Sequence, residues 1–391
     1  MGHFASLDTE TVSVDLTRVL EFCTAEQFWL VETTTALARL ESPTSDKLAV
    51  DRCGTELIKR LTEIGAEVET IRHGVAGNHI RATVGHGSAQ VLLLGHFDTV
   101  WPTGQLGRMP IGEENGRLSG PGVYDMKAGI AIGMLAIRAL QTQDALPLQR
   151  LVVLLTSDEE CGSRTSRALV EQEARRSDAV LVLEPSLPGG ALKTARKGAG
   201  EFHMNVQGVA AHAGIEPEKG ASAIHELARQ IVAIEALRDS GVSVNVGLVD
   251  GGSRPNVVAE QARCVIDVRV TTEAERVRVE DALQGLTPAL DGTSVQVSGG
   301  FSRPPLERTA AVVRLYKIAR EVAAELGHEL GEGSTGGGSD GNLTAALGVP
   351  TIDGLGAVGA GAHALHEHVE VGALPWRAAL VAGLIHRLDT A

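Results

Sequence analysis

Residues 91–102 read VLLLGHFDTVWP. Four apolar residues run into a glycine, and a histidine and an aspartate then stand two positions apart. An unbroken apolar run fits a strand covered on both faces, as in parallel α/β sheets. Two comparable runs follow, LVVLLTSDEE at 151–160 and AVLVLEP at 179–185. Each ends in acids: Asp158, Glu159 and Glu160 after the first, Glu184 after the second. Between the runs, residues 126–143 are apolar on most sides, which predicts a buried helix, and Asp125 stands directly before it. Alternation of such strands with helices predicts an α/β fold with a mainly parallel sheet. Ligands of open α/β sheets gather at the carboxyl ends of the strands, so this reading delivers His96, Asp98 and the acids to one edge.

Apolar spacing predicts helices over 15–40 and 46–65, with a strand at 79–85. The pattern changes near residue 198. GEFHMNVQG (200–208) and ARCVIDVRV (262–270) alternate apolar with polar, as half-exposed antiparallel strands do, and a helix is expected between them at 220–238. A helical pattern returns at 310–326. A glycine-rich loop, a short strand in VPTIDGL (349–355) and a last helix from 374 follow it. The expected plan is one larger domain, 1–197 and 305–391, interrupted by a smaller α+β domain, 198–304.

Bulk numbers narrow the function. At 391 residues the chain suits two domains. A net charge of −14 argues against a nucleic-acid partner, because neutralising phosphates needs a Lys/Arg surplus. The same charge disfavours anionic membranes, and no apolar stretch reaches the roughly 18 residues of a span. The four cysteines are scattered, with neither zinc-ribbon nor CxxC spacing. The opening residues lack the basic and apolar regions of a signal peptide, so a cytoplasmic protein is expected, export being left open should a leader have been removed.

Many carboxylates gathered in one place repel one another and raise each other's pKa. A divalent cation, or two, is the simplest compensation. Histidine with several carboxylates suits zinc, with cobalt or manganese as substitutes. Two such metals about 3.5–4 Å apart can share a carboxylate. The loop STGGGSDGN (334–342) lacks the lysine of a phosphate-binding GxxxxGK[ST] motif, so a nucleotide is not expected there.

In chain order the sequence carries GHFDTVWP, GPGVYDMKAG, TSDEECGS, LEP, RKGAGEFHMNVQGVAAHAG, GGSRPNVV, DVRV, STGGGSDGN and GAHALHEHVEV. This ordered set, spanning 91–370, resembles the M20 metallopeptidase family, and most closely its glutamate carboxypeptidases of the G2 type. The resemblance implies a two-zinc hydrolase domain with an inserted lid and dimerisation domain. His96, Asp125, Glu160, Glu184 and a C-terminal histidine would be metal ligands, with Asp125 shared and often followed by a cis peptide. Asp98 would hold the second ring nitrogen of His96, and Glu159 would be the general base. The C-terminal ligand is expected at His363, with His366 as the alternative; His368 is read as a loop residue. His212 would stabilise the oxyanion in a partner subunit's active site, which implies a homodimer. Asn256, Arg269, Lys197, Arg303, Gly337 and Gly338 match substrate-contacting positions.

The resemblance implies hydrolysis of an amide in an N-acyl amino acid or short peptide with a free carboxylate, releasing a residue such as glutamate. The rival expectations are an aminoacylase or N-acetyl-amino-acid deacylase of the same chemistry and, more remotely, a non-catalytic binding protein.

Overall fold

A computed structural model describes residues 14–146 and 150–389, so the opening stretch read for a leader lies outside the described residues. The chain divides into two compact units, one of 1–194, 309–333 and 347–391, the other of 195–308 and 334–346.

The first unit is built on a six-stranded sheet. Its spatial order is Glu67–Ile71, His79–Val84, Arg150–Thr156, Gln90–His96, Ala179–Val182, Thr351–Ile352. The last four strands run parallel to one another, and the first two are antiparallel additions at one edge. Leu92, Leu93 and Leu94 are fully buried, each stabilising the sheet by about 1.5–3 kcal/mol. The parallel register sets Gly95 beside Leu155 and His96 beside Thr156, so the polar ends of neighbouring strands emerge at one level.

The expected helix over 126–143 is found as Ala128–Gln141, and nearly all of it is buried. A Cβ on Gly129 would stand 2.0 Å from the Leu183 carbonyl oxygen, so only glycine lets the helix start against the residue before Glu184. The turn before it, 123–127, is not regular helix, and the Asp125–Met126 peptide is cis. The helix expected over 15–40 is two helices, Leu16–Ala25 and Gln27–Arg39, with Glu26 at the break. No helix among the described residues is long and apolar enough to cross a membrane. All four cysteines are free thiols.

The second unit is an antiparallel sheet in the order Val242–Gly251, Gln261–Val270, Gly198–Gln207, Ser294–Arg303, with helices Ala223–Glu235 and Glu273–Gln284. The alternation read at 200–208 is literal: Phe202, Met204 and Val206 are buried, and the residues between them are exposed. These side chains join Ile266, Val268, Leu227 and Leu283 in one apolar core. The glycine-rich segment 334–346 belongs to this unit.

Candidate active site

The strand Gln90–His96 ends with His96 only 1% exposed. Its Nε2 lies 3.3 Å from Asp125 and 3.4 Å from Glu184, and its Nδ1 lies 3.4 Å from Asp98. His363 brings its Nε2 to 3.3 Å from the other Asp125 oxygen and 3.2 Å from Glu160. Asp125 therefore stands between two imidazoles. The ligand atoms of His96, Asp125 and Glu160 lie within 4.8 Å of one another, as do those of His96, Glu159 and Glu184. His363 adopts φ 60°, a left-handed conformation that costs a non-glycine residue about 1–3 kcal/mol. Of the three histidines in HALHEH, His363 is the one set against Asp125 and Glu160. His366 is exposed, and its carbonyl accepts from the His368 ring.

Asp98 is fully buried and serves several groups at once. Besides facing His96, it accepts the backbone N–H groups of Glu159 and Glu160, both at 3.2 Å, and the Thr44 hydroxyl at 2.6 Å. One carboxylate thus fixes the ring of His96 and the start of the Glu159–Glu160 turn. No sequence signal points to Thr44, 54 residues away in the chain. Trp101 and Glu367, which pair through the indole N–H at 2.9 Å, both lie in motifs that carry the family resemblance, Glu367 as part of the spacing that selects His363, but the resemblance gives neither a chemical role.

Electrostatics follow from the crowding. Burial opposes a charge on His96, but Asp125, Asp98 and Glu184 outweigh it and hold the imidazole well above its usual pKa. Hydrogen bonds that His363 donates to Asp125 and Glu160 lift it to about 10. Burial would raise Asp125, yet the two imidazoles hold its carboxyl far below the usual range. Burial dominates at Glu160 and raises it.

The spacing also tests a metal. Direct N–H···O bonds favour 2.7–3.2 Å. Donors sharing a tetrahedral zinc at about 2.0–2.1 Å stand about 3.3 Å apart. The imidazole–carboxylate distances here, 3.2–3.4 Å, sit at the long edge of the first pattern and are compatible with the second. The residues fit divalent cations in number, charge and spacing.

The other residues singled out from the sequence belong to the second unit. His212 is exposed, with its Nδ1 accepting the Gly214 N–H at 3.2 Å, and Asn256 adjoins the same segment through its carbonyl and the Ala213 N–H. Arg269 is half-buried and makes a two-pronged bond to Asp267, at 3.0 and 2.8 Å. Arg303 is 5% exposed and ion-paired with Asp340 at 3.0 Å. Lys197 contributes backbone bonds to Thr335 and Asn342. The carbonyls of Gly337 and Gly338 accept from Arg196, a neighbour the sequence reading passed over.

An α/β unit that gathers two imidazoles and a ring of carboxylates beside the ends of its parallel strands has the chemistry of a metal-dependent hydrolase. The chain belongs to the peptidase family M20/M25/M40, whose model matches residues 92–387. It is 30% identical over 380 residues to carboxypeptidase G2 of Pseudomonas sp. (strain RS-16), covering 94% of this chain and 91% of that one. It is 31% identical over 356 residues to a succinyl-diaminopimelate desuccinylase of Xanthomonas oryzae pv. oryzae (strain PXO99A), covering 86% and 93%. Among solved structures, the Bacillus subtilis YXEP protein, described as a dinuclear metal binding peptidase from the M20 family, superposes with a TM-score of 0.70 at 14% identity, covering 94% and 99%.

Proposed function

We propose that this metallohydrolase cleaves the amide bond of an N-acyl amino acid or short peptide, releasing a C-terminal amino acid such as glutamate. The observation that carries the reading is the placement of Asp125 between His96 and His363, with Glu184 and Glu160 completing two donor sets. His96, Asp125 and Glu184 would hold one zinc, and Asp125, Glu160 and His363 a second, with cobalt or manganese as substitutes. Cations bound there supply Lewis-acid polarisation of the amide carbonyl and acidify a water to a pKa of about 7.

The chain's own groups do the rest. Glu159 takes the proton of the attacking water as the new C–O bond forms, and delivers it to the nitrogen as the C–N bond breaks. Asp98 keeps the His96 ring oriented and anchors the backbone of Glu159. His212 would donate to the developing oxyanion in the second subunit of a homodimer. Arg269, Asn256, Lys197, Arg303 and the N–H groups of Gly337 and Gly338 supply donors for the substrate's carboxylate, a group that guanidinium planes grip through paired bonds.

Likeness to a desuccinylase favours a second reading, a deacylase of the same chemistry. A panel of N-acyl-glutamates, N-acetyl- and N-succinyl-amino acids and dipeptides, assayed with zinc-loaded protein for released amine, separates the two. The carboxypeptidase reading expects the highest kcat/KM on N-acyl-glutamate. A tenfold preference for N-succinyl or N-acetyl substrates irrespective of the amino acid replaces it with the deacylase.

A further inference from the structure

Glu367 is fully buried, and its carboxylate is saturated. Oε1 accepts the backbone N–H groups of Tyr124, at 2.9 Å, and Asp125, at 3.1 Å. Oε2 accepts the Gly122 N–H at 3.0 Å and the Trp101 indole N–H at 2.9 Å. The Glu367 carbonyl accepts the Gly120 N–H as well. The whole 120–125 turn is therefore pinned to one residue. That residue stands four positions after His363, joined to it by two tight turns, Ala364 N–H to Gly361 and Glu367 N–H to Ala364.

We propose that Glu367 is a positioning residue that builds one of the two cation positions by fixing Asp125 against His363. The proposal rests on the two-cation reading above. It predicts an asymmetry that reading does not contain. His96 ends one strand and Glu184 follows its neighbour, and the pairing of those strands sets their spacing; the hydrogen bonds of the Glu367 carboxylate go to Trp101, Gly122, Tyr124 and Asp125 instead. Asp125 and His363 come from irregular segments; beside the pairing of His368–Glu370 with Arg117–Ser119, the Glu367 carboxylate ties those segments together. Asp125 serves both donor sets and His363 only one, so loss of the Glu367 carboxylate disturbs two ligands of one position and one of the other.

Only a carboxylate can do this. Four N–H groups converge on two oxygens, and an amide offers one acceptor oxygen and an NH2 that would face N–H donors. Glu367→Gln keeps the shape and removes half the acceptors. Groups that orient metal ligands from behind typically change metal affinity 10–100-fold when altered.

The test is a titration of metal-stripped protein with Co2+, followed by calorimetry and by visible absorption, with wild type and Glu367→Gln compared. Wild type is expected to take up two Co2+. In Glu367→Gln one position should lose at least tenfold in affinity, and at least threefold more than the other. Equal weakening of both positions, or no change in either, overturns the proposal while leaving the two-cation reading intact. Uptake of fewer than two Co2+ by wild type overturns both. Should Glu367→Gln fail to fold, Trp101→Phe decides, since it removes one donor and keeps the carboxylate. Weakening greater at one cation position than at the other supports the proposal, and uniform weakening or none sinks it.

Discussion

The two units hold their polar residues by different means. In the first, His96, Asp125, Glu160, Glu184 and His363 face one another, and Asp98 braces them from behind. In the second, Arg269 turns to Asp267 and Arg303 to Asp340, each bound to its own scaffold. The first arrangement places like charges together at a cost that the raised imidazoles offset in part and a bound cation would offset further. The second is electrostatically content as it stands. Carboxylates crowded against imidazoles point to a cation through their geometry alone; arginines already paired show only how they rest.

The sharpest way to break this contrast is Glu159→Gln. If the cluster is catalytic, kcat falls by about 10²–10⁴, the range of a general base, while metal content and thermal stability hold. A variant retaining a third of wild-type turnover would demote the cluster to a binding site.

Next comes the second unit. Arg303 and Asp340 are both nearly buried. Arg303→Ala leaves the aspartate without its cation, an event that costs about 3–5 kcal/mol in buried pairs. Chemical denaturation should register that loss whatever happens to KM. Arg269→Ala is the counterpart, because its pair with Asp267 is roughly a third to half exposed. Its stability should move by less than about 1 kcal/mol. KM for a carboxylate substrate should rise about tenfold with kcat little altered, as loss of uniform binding requires. An unchanged KM would remove Arg269 from the substrate's path.

The same division explains what could be read from residues alone. Apolar runs at 91–94, 151–155 and 179–182 announced buried strands because both faces are covered, and the acids at their ends had to share an edge. The strands Val242–Gly251 and Ser294–Arg303 went unnamed. Each alternates for only five residues, 242–246 and 294–298, before a glycine and a more exposed stretch break the pattern. The single long helix expected at 15–40 missed the break at Glu26, where no proline or glycine marks it. Thr44, Arg196 and Glu367 act through partners 54 to 266 residues away, and local patterns carry no trace of such pairs.

The smallest effect expected is a pH dependence confined to the metal-free protein. His363 is raised to about 10 by its hydrogen bonds to Asp125 and Glu160, against an unfolded value near 6.5. A group whose folded pKa is raised stabilises fully below its unfolded pKa and loses that contribution as pH rises through the folded one. Between pH 6.5 and 10, metal-stripped wild type should therefore forfeit part of its advantage over His363→Ala. The ring is about half exposed, so solvent screening keeps the change to a few degrees in Tm. Asp125 titrates far below this window and cannot produce the trend. With zinc bound the imidazole is neutral, so the dependence should vanish, and zinc uptake near pH 7.5 should release a proton measurable as buffer-dependent heat. A gap between the two proteins that stays constant or widens toward pH 10 would show that the His363 proton is not held by the carboxylates, and the electrostatic contrast between the units would lose its basis.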